Sequence, residues 1–176
     1  MVELLVALAM ITTLMAALGS FFVNMQQVSR RQSHLQAATW LVQEGMEHAN
    51  GYGGPTLLIG RAACGGCLIA SGFDGGYLTD TVRWDAGVTN VTPAVPISDT
   101  PEVFQLNNLR YNRYWFVGRC WQPAAGGPCT ATAGPVAMVR LVVSVVWTES
   151  GCPGTGCARA ATALFSADPL DPVFPQ

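Results

Sequence analysis

The sequence predicts an α+β protein in which one long N-terminal helix is followed by an antiparallel β-sheet laid against the helix's second half. Three observations carry this. No proline occurs from Leu4 to Asn50, apolar residues in the later part of that stretch recur at helical spacing, and the last third of the chain holds runs that alternate with the period of a strand.

The stretch from Leu4 to Asn50 reads as one helix with Gly19 and Gly45 as its weak points. At 1.5 Å per residue it would be roughly 70 Å long, more than twice a bilayer core. The part up to about Val23 is apolar all round, as a segment facing lipid or buried in an assembly must be. Beyond Arg30 the pattern turns amphipathic. Leu35, Ala38, Val42 and Met46 recur at spacings of three and four, with Trp40 and Leu41 beside them, and this stripe needs a partner surface. Asn50-Gly51-Tyr52-Gly53-Gly54-Pro55 should end the helix with residues that tolerate the left-handed region and a proline stop. The organisation expected is therefore residues 1–29 as an apolar helix, 30–50 as its amphipathic continuation, and 51–176 as a globular β domain.

Residues 56–110 read as loop-rich, with short strands expected at Tyr77 to Trp84 and Pro101 to Leu106. Three stronger strands follow. Tyr111 to Trp121 sets Tyr111, Arg113, Trp115, Val117, Arg119 and Trp121 on one face and Tyr114, Phe116 and Cys120 on the other. Val136 to Thr148 opposes Val139, Leu141, Val143, Val145 and Trp147 to Arg140, Ser144 and Thr148. Ala158 to Ser166 is shorter, and the Gly- and Pro-containing loop before it predicts an antiparallel hairpin.

The full chain has 176 residues, 50% of them hydrophobic and 11% charged, with a net charge of −2. Some 125 residues remain after the apolar helix, enough for one domain with a core. So few charges, near balance, do not build a field that draws in phosphate backbones. All nine basic residues are arginine. The composition suits packing against other copies of the chain.

Glu3 is the only charged residue in the first 29 positions. Placing an acid in lipid costs on the order of 2.5 to 3.5 kcal/mol, so a lone intramembrane carboxylate calls for a partner. A secretory signal would open with basic residues, whereas here Arg30 and Arg31 follow the apolar run. Taken alone, that order would hold the later residues in the cytoplasm, while six cysteines argue for export.

The run Met1-Val2-Glu3-Leu4-Leu5-Val6-Ala7-Leu8-Ala9 resembles the start of a mature type IV pilin or pseudopilin. The resemblance covers about the first 50 residues. It implies that a basic leader and two residues once preceded Met1, that prepilin peptidase and the pilus assembly machinery are partners, and that the chain waits in the inner membrane before joining an extracellular helical filament of identical subunits. It implies further that Glu3 pairs with the N-terminal amine of an adjacent subunit, and that Leu4, Leu5, Val6, Leu8, Ile11, Gly19 and Ser20 belong to the assembly surface. In the family the helix commonly melts or bends at about the depth of Gly19-Ser20. A small residue there serves close helix packing equally well. Two other readings stand beside the bulk filament subunit: a minor pilin or type II secretion pseudopilin, and a membrane-anchored module for adhesion or DNA uptake.

The cysteines form three close pairs, Cys64 with Cys67, Cys120 with Cys129, and Cys152 with Cys157. Six cysteines allow 15 connectivities, and local pairing is the expectation for an exported domain. The competing readings are a redox CxxC at Cys64 and Cys67 and a zinc site from Cys64, Cys67, Cys152 and Cys157.

Catalytic chemistry is not expected, and neither is a cofactor or metal. His34 and His48 lie 14 residues apart on one helix, roughly 21 Å along it, and no nucleophile elbow, phosphate loop or HExxH occurs. Glu44 and Glu47 are expected to line a solvated stripe or to meet Arg30 or Arg31 of a neighbour. The interleaved segment from Arg110 to Phe116 raises a nucleic-acid reading, with Arg113, Trp115, Arg119 and Trp121 as a stacking face. A covered amphipathic strand is the preferred account. Asn90-Val91-Thr92 matches a glycosylation sequon followed by Pro93.

Overall fold

A helix of 49 residues, α1 (Val2–Asn50), opens the computed structural model, and an antiparallel sheet follows it. The structure describes residues 2–64, 73, 76–87, 96–124, 126–153 and 156–168. Cys67 and the Asn90-Val91-Thr92 sequon lie outside them. The chain groups into two units, Met1–Ala37 and Ala38–Gln176.

In the second unit, the helix from Ala38 onward buries Ala38, Leu41, Val42, Gly45 and Ala49. The stripe expected there is present but rotated. Trp40 points to solvent, about 140° around the helix from Gly45 at 100° per residue, while Met46 is only half-buried. The helix ends through tight bonds, Gly51 N–H to His48 O (3.3 Å) and Tyr52 N–H to Ala49 O (3.0 Å), and not through a left-handed glycine. A short helix the sequence reading missed, α2 (Gly54–Leu57), starts directly afterwards with Pro55 in its first turn.

The remaining elements are β1 (Arg61–Ala62), β2 (Val82–Arg83), β3 (Ala86–Gly87), β4 (Glu102–Leu106), β5 (Leu109–Gln122), β6 (Val136–Trp147) and β7 (Cys157–Ser166). β1 and β3 form a two-stranded ribbon. The main sheet runs β2-β5-β6-β7, with β4 also pairing β5, and every pairing is antiparallel. The expected strand from Tyr77 to Trp84 shrinks to Val82–Arg83. Gly76 adopts a φ of 75°, and the Thr79 and Thr81 hydroxyls donate to the Gly76 and Leu78 carbonyls at 2.6 and 2.8 Å, which holds the preceding residues in turns. β4 and β5 join through Asn107 and Asn108, both at positive φ (52° and 61°), as a type I′ hairpin demands.

Strand alternation predicts a sheet with one covered face, yet Leu141 to Trp147 is buried at every position. The helix side takes Val139, Leu141, Val143 and Val145. On the other side Phe116 and Val142 pack with Leu78, flanked by Phe73, Tyr114 and Ala160. The turn-rich segment before β2 thus forms a lid on the second face, and this is why β6 is buried on both faces from Leu141 to Trp147. Arg61 fixes the ribbon to the sheet: it donates to Asp85 Oδ1 and to the Ser98 carbonyl, each at 2.9 Å, while the same Asp85 oxygen accepts the Val117 N–H at 2.8 Å. Burial pulls the Arg61 guanidinium below its usual pKa, and the negative charges of Asp85 and Asp99 oppose that shift.

Cys120 is bonded to Cys129 and Cys152 to Cys157, the local pairing expected. The first closes the loop after β5, where Trp121 and Thr130 also exchange two backbone hydrogen bonds, and the second brackets the β6–β7 loop. Cys64 is disulfide-bonded as well. The sulfurs of Cys152 and Cys157 lie near the Glu149 carboxylate, but with both spent on one another they offer no thiolates, so the zinc reading fails.

Helix and sheet approach each other at Gly45, where an added Cβ would sit 2.9 Å from Val143 Cγ1 and 3.2 Å from Arg113 Cδ. Gly45→Leu should therefore destabilise the protein by about 3 kcal/mol, even though leucine is the better helix former, as read by denaturant unfolding in detergent. Removing the disulfide that brackets the β6–β7 loop by Cys152→Ser/Cys157→Ser should cost about 2 kcal/mol in the same assay.

Candidate functional site

The apolar helix of the first unit carries the assembly residues that the resemblance implies. Every residue from Val2 to Ser33 is exposed, including Leu4, Leu5, Val6, Leu8 and Ile11. By length and composition the helix can cross a membrane. From Leu4 to Val28 it extends about 37 Å, against a hydrocarbon core of about 30 Å. Its hydroxyls at Thr12, Thr13 and Ser20 are satisfied within the helix. The Thr12 and Thr13 hydroxyls donate to the Leu8 and Ala9 carbonyls at 3.0 and 3.1 Å, and Ser20 donates to Ala17 at 2.8 Å. That is what hydrocarbon requires of a hydroxyl. The helix runs unbroken through Gly19 and Ser20, and a Cβ added at Gly19 would meet nothing within 4 Å, so a neighbouring helix has room to approach there.

Glu3 is exposed in the first turn, where the helix dipole favours an anion. The nearest arginine in sequence, Arg30, lies roughly 40 Å further along the helix.

A second cluster locks the domain. The Arg113 guanidinium sits in the sheet face beneath the helix, donating Nε to Glu102 (2.7 Å) and Nη1 to the Leu41 carbonyl (3.1 Å) and to Glu44. Its Cζ lies 4.8 Å from the Phe104 ring and 5.1 Å from the Trp115 ring. Glu44 thus pairs with an arginine of its own chain, which the sequence reading did not foresee, while its side chain stays 45% exposed. His48 contacts Tyr52 and Trp115 through ring faces and edges.

This cluster also divides the stacking face the alternation suggested. Arg113 and Trp115 are buried under the helix and cannot offer a surface. Arg119 and Trp121 remain half-exposed further along β5, where Arg119 Cζ lies 5.3 Å from the Trp84 ring and 5.9 Å from that of Trp121. Four residues in one row thus make a core latch and a separate, smaller cation–π cluster. The sequence reading named Trp84 only as the end of an expected strand. It directly follows β2, and the pairing of that short strand with β5, continued by the Trp84 N–H to Val117 carbonyl bond at 2.9 Å, brings it here.

The apolar N-terminal helix and the sheet against its later part make an architecture consistent with a pilin-like subunit, and the disulfides indicate an extracytoplasmic domain. Comparison of the chain with protein-family models, curated proteins and solved structures gives no match.

In the Arg113 cluster the cation is the buried member: its side chain is 6% exposed, against 45% for Glu44 and 33% for Glu102. Glu44→Gln/Glu102→Gln, which strands that cation, should therefore cost about 3 to 5 kcal/mol. Arg113→Met, which leaves two carboxylates able to hydrate, should cost less, and thermal unfolding of the two variants side by side checks the order.

Proposed function

We propose that this chain is a structural subunit of a type IV pilus-like filament, held in the inner membrane by its apolar helix until assembly and exposed on the cell exterior afterwards. The observation that carries the reading is a helix whose apolar surface is open on every side from Val2 to Val23, with a single carboxylate in its first turn, attached to a disulfide-bonded domain. A simple anchor has no use for that acid.

Exchanging lipid for the helices of other subunits is nearly neutral in hydrophobic energy, so the driving force and the register must come from elsewhere. Glu3 supplies both. The nearest arginine on this helix lies roughly 40 Å away, so in this reading the counter-cation comes from another molecule, and the N-terminal amine of an adjacent subunit fits the position that the resemblance gives to Glu3. In a low-dielectric filament core an unpaired carboxylate is costly, so only the register that pairs it persists. Prepilin peptidase and the assembly machinery act on the chain in this reading, and the chain itself is not an enzyme.

Glu3→Leu should leave a membrane-inserted, folded monomer that fails to enter filaments, scored by electron microscopy and mass identification of sheared surface fibres. Fibres at unaltered yield from that variant would refute the pairing. Replacement of residues 1–29 by an unrelated apolar helix should likewise abolish assembly, whereas a membrane-anchored binding module would tolerate it.

A further inference from the structure

We infer that Trp40 of one copy docks in a groove on the domain of the next, a head-to-tail contact that rests on the filament reading and supplies its second interface. Trp40 is 56% exposed on the outer face of the helix, with Gln36, Gln43 and Glu47 on the same side. More than half of the indole surface is thus left uncovered by its own domain. It has the size and rigidity of an interface anchor.

The receiving groove lies on the opposite side of the same domain. It has a volume of about 430 Å³ and is lined by Tyr77, Asp80, Arg140, Thr162 and Leu164, of which Tyr77 and Leu164 are large apolar side chains left exposed. Arg140 and Leu164 are partners across β6 and β7, as are Val142 and Thr162. Alternation sets them on the face away from Val143, which the helix covers at Gly45. The volume accommodates one indole with its flanking residues. Leu164 and Tyr77 give the ring apolar walls, and Asp80 or Thr162 gives its N–H an acceptor.

Charge favours a second copy as the occupant. Glu47, two helical turns beyond Trp40 on the same face, forms no ion pair among the described residues, and neither does Arg140, which donates one bond to the Tyr77 carbonyl at 2.8 Å. Seating Trp40 in the groove brings these two unspent charges to the same interface. Because knob and groove face opposite ways on one domain, they cannot meet within a chain. They join copies heterologously, and a heterologous contact whose rotation does not close generates an open helical array.

The test uses the full-length chain expressed in cells. Trp40→Ala should lower the ratio of filamentous to membrane-resident subunit at least about tenfold. Glu47→Arg and Arg140→Glu should each lower it, and the double exchange should restore it. A Trp40→Cys/Leu164→Cys variant should yield oxidation-dependent ladders of linked subunits. Fibres at unaltered yield from Trp40→Ala, or charge exchange without rescue, overturn the contact and leave the filament reading standing. Ladders in membranes without any fibre would support the contact and sink the filament reading. Neither ladders nor fibres would overturn both.

Discussion

One buried guanidinium decides how the domain is put together. Arg113 belongs to β5, yet its hydrogen bonds reach Glu102 on β4 and both the backbone and a side chain of the helix, at Leu41 and Glu44. Hydrophobic contact between a helix and a sheet is tolerant of sliding, because a ridge of alanine and valine fits several grooves nearly as well. A cation with partners at fixed positions is not tolerant. Each residue of helix translation would move Leu41 and Glu44 by 1.5 Å and rotate them by 100°, which would strand the charge. Arg113 thereby fixes the helix register on the sheet, and the close approach at Gly45 becomes possible only in that register.

The two parts of the helix are built for different surroundings. Up to Val23 it presents apolar side chains in every direction and ties its hydroxyls to its own carbonyls. From Ala38 it presents small residues to the sheet and polar ones to water, with Trp40 as the exception. Small residues let the backbone come close, and a backbone that is close can give its Leu41 carbonyl to an arginine of the sheet. The first part keeps its capacity for contact unspent, and the second has spent all but one face.

Much of this was legible in the sequence because the strong signals were periodic. The long helix, the β6–β7 hairpin and the α+β class follow from spacing alone, as does the long strand β5. What spacing could not show was which side of an amphipathic pattern wins. Trp40 sits next to Leu41 in sequence, and hydropathy alone counts both as core, yet only the position of Gly45 reveals that the contact line runs through small residues. Burial of both sheet faces was likewise hidden, since the cover on the second face comes from turns around Leu78 with no period of their own. Asn107-Asn108 was a readable hairpin signal that the alternation on either side obscured. For the candidate site, the role of Glu3 rested on resemblance, whereas the fate of Arg113 depended on partners 69 and 11 residues away.

The two fully described disulfides span only nine and five residues of chain. A polypeptide that is threaded through a membrane end-first exposes both members of such a pair almost together, before the next cysteine has emerged. Correct oxidation then follows from the order of emergence, without a reshuffling step, and each loop is already closed when its strands meet the sheet. If the chain is the filament subunit proposed here, its subunits reach the point of assembly with these two loops already sealed.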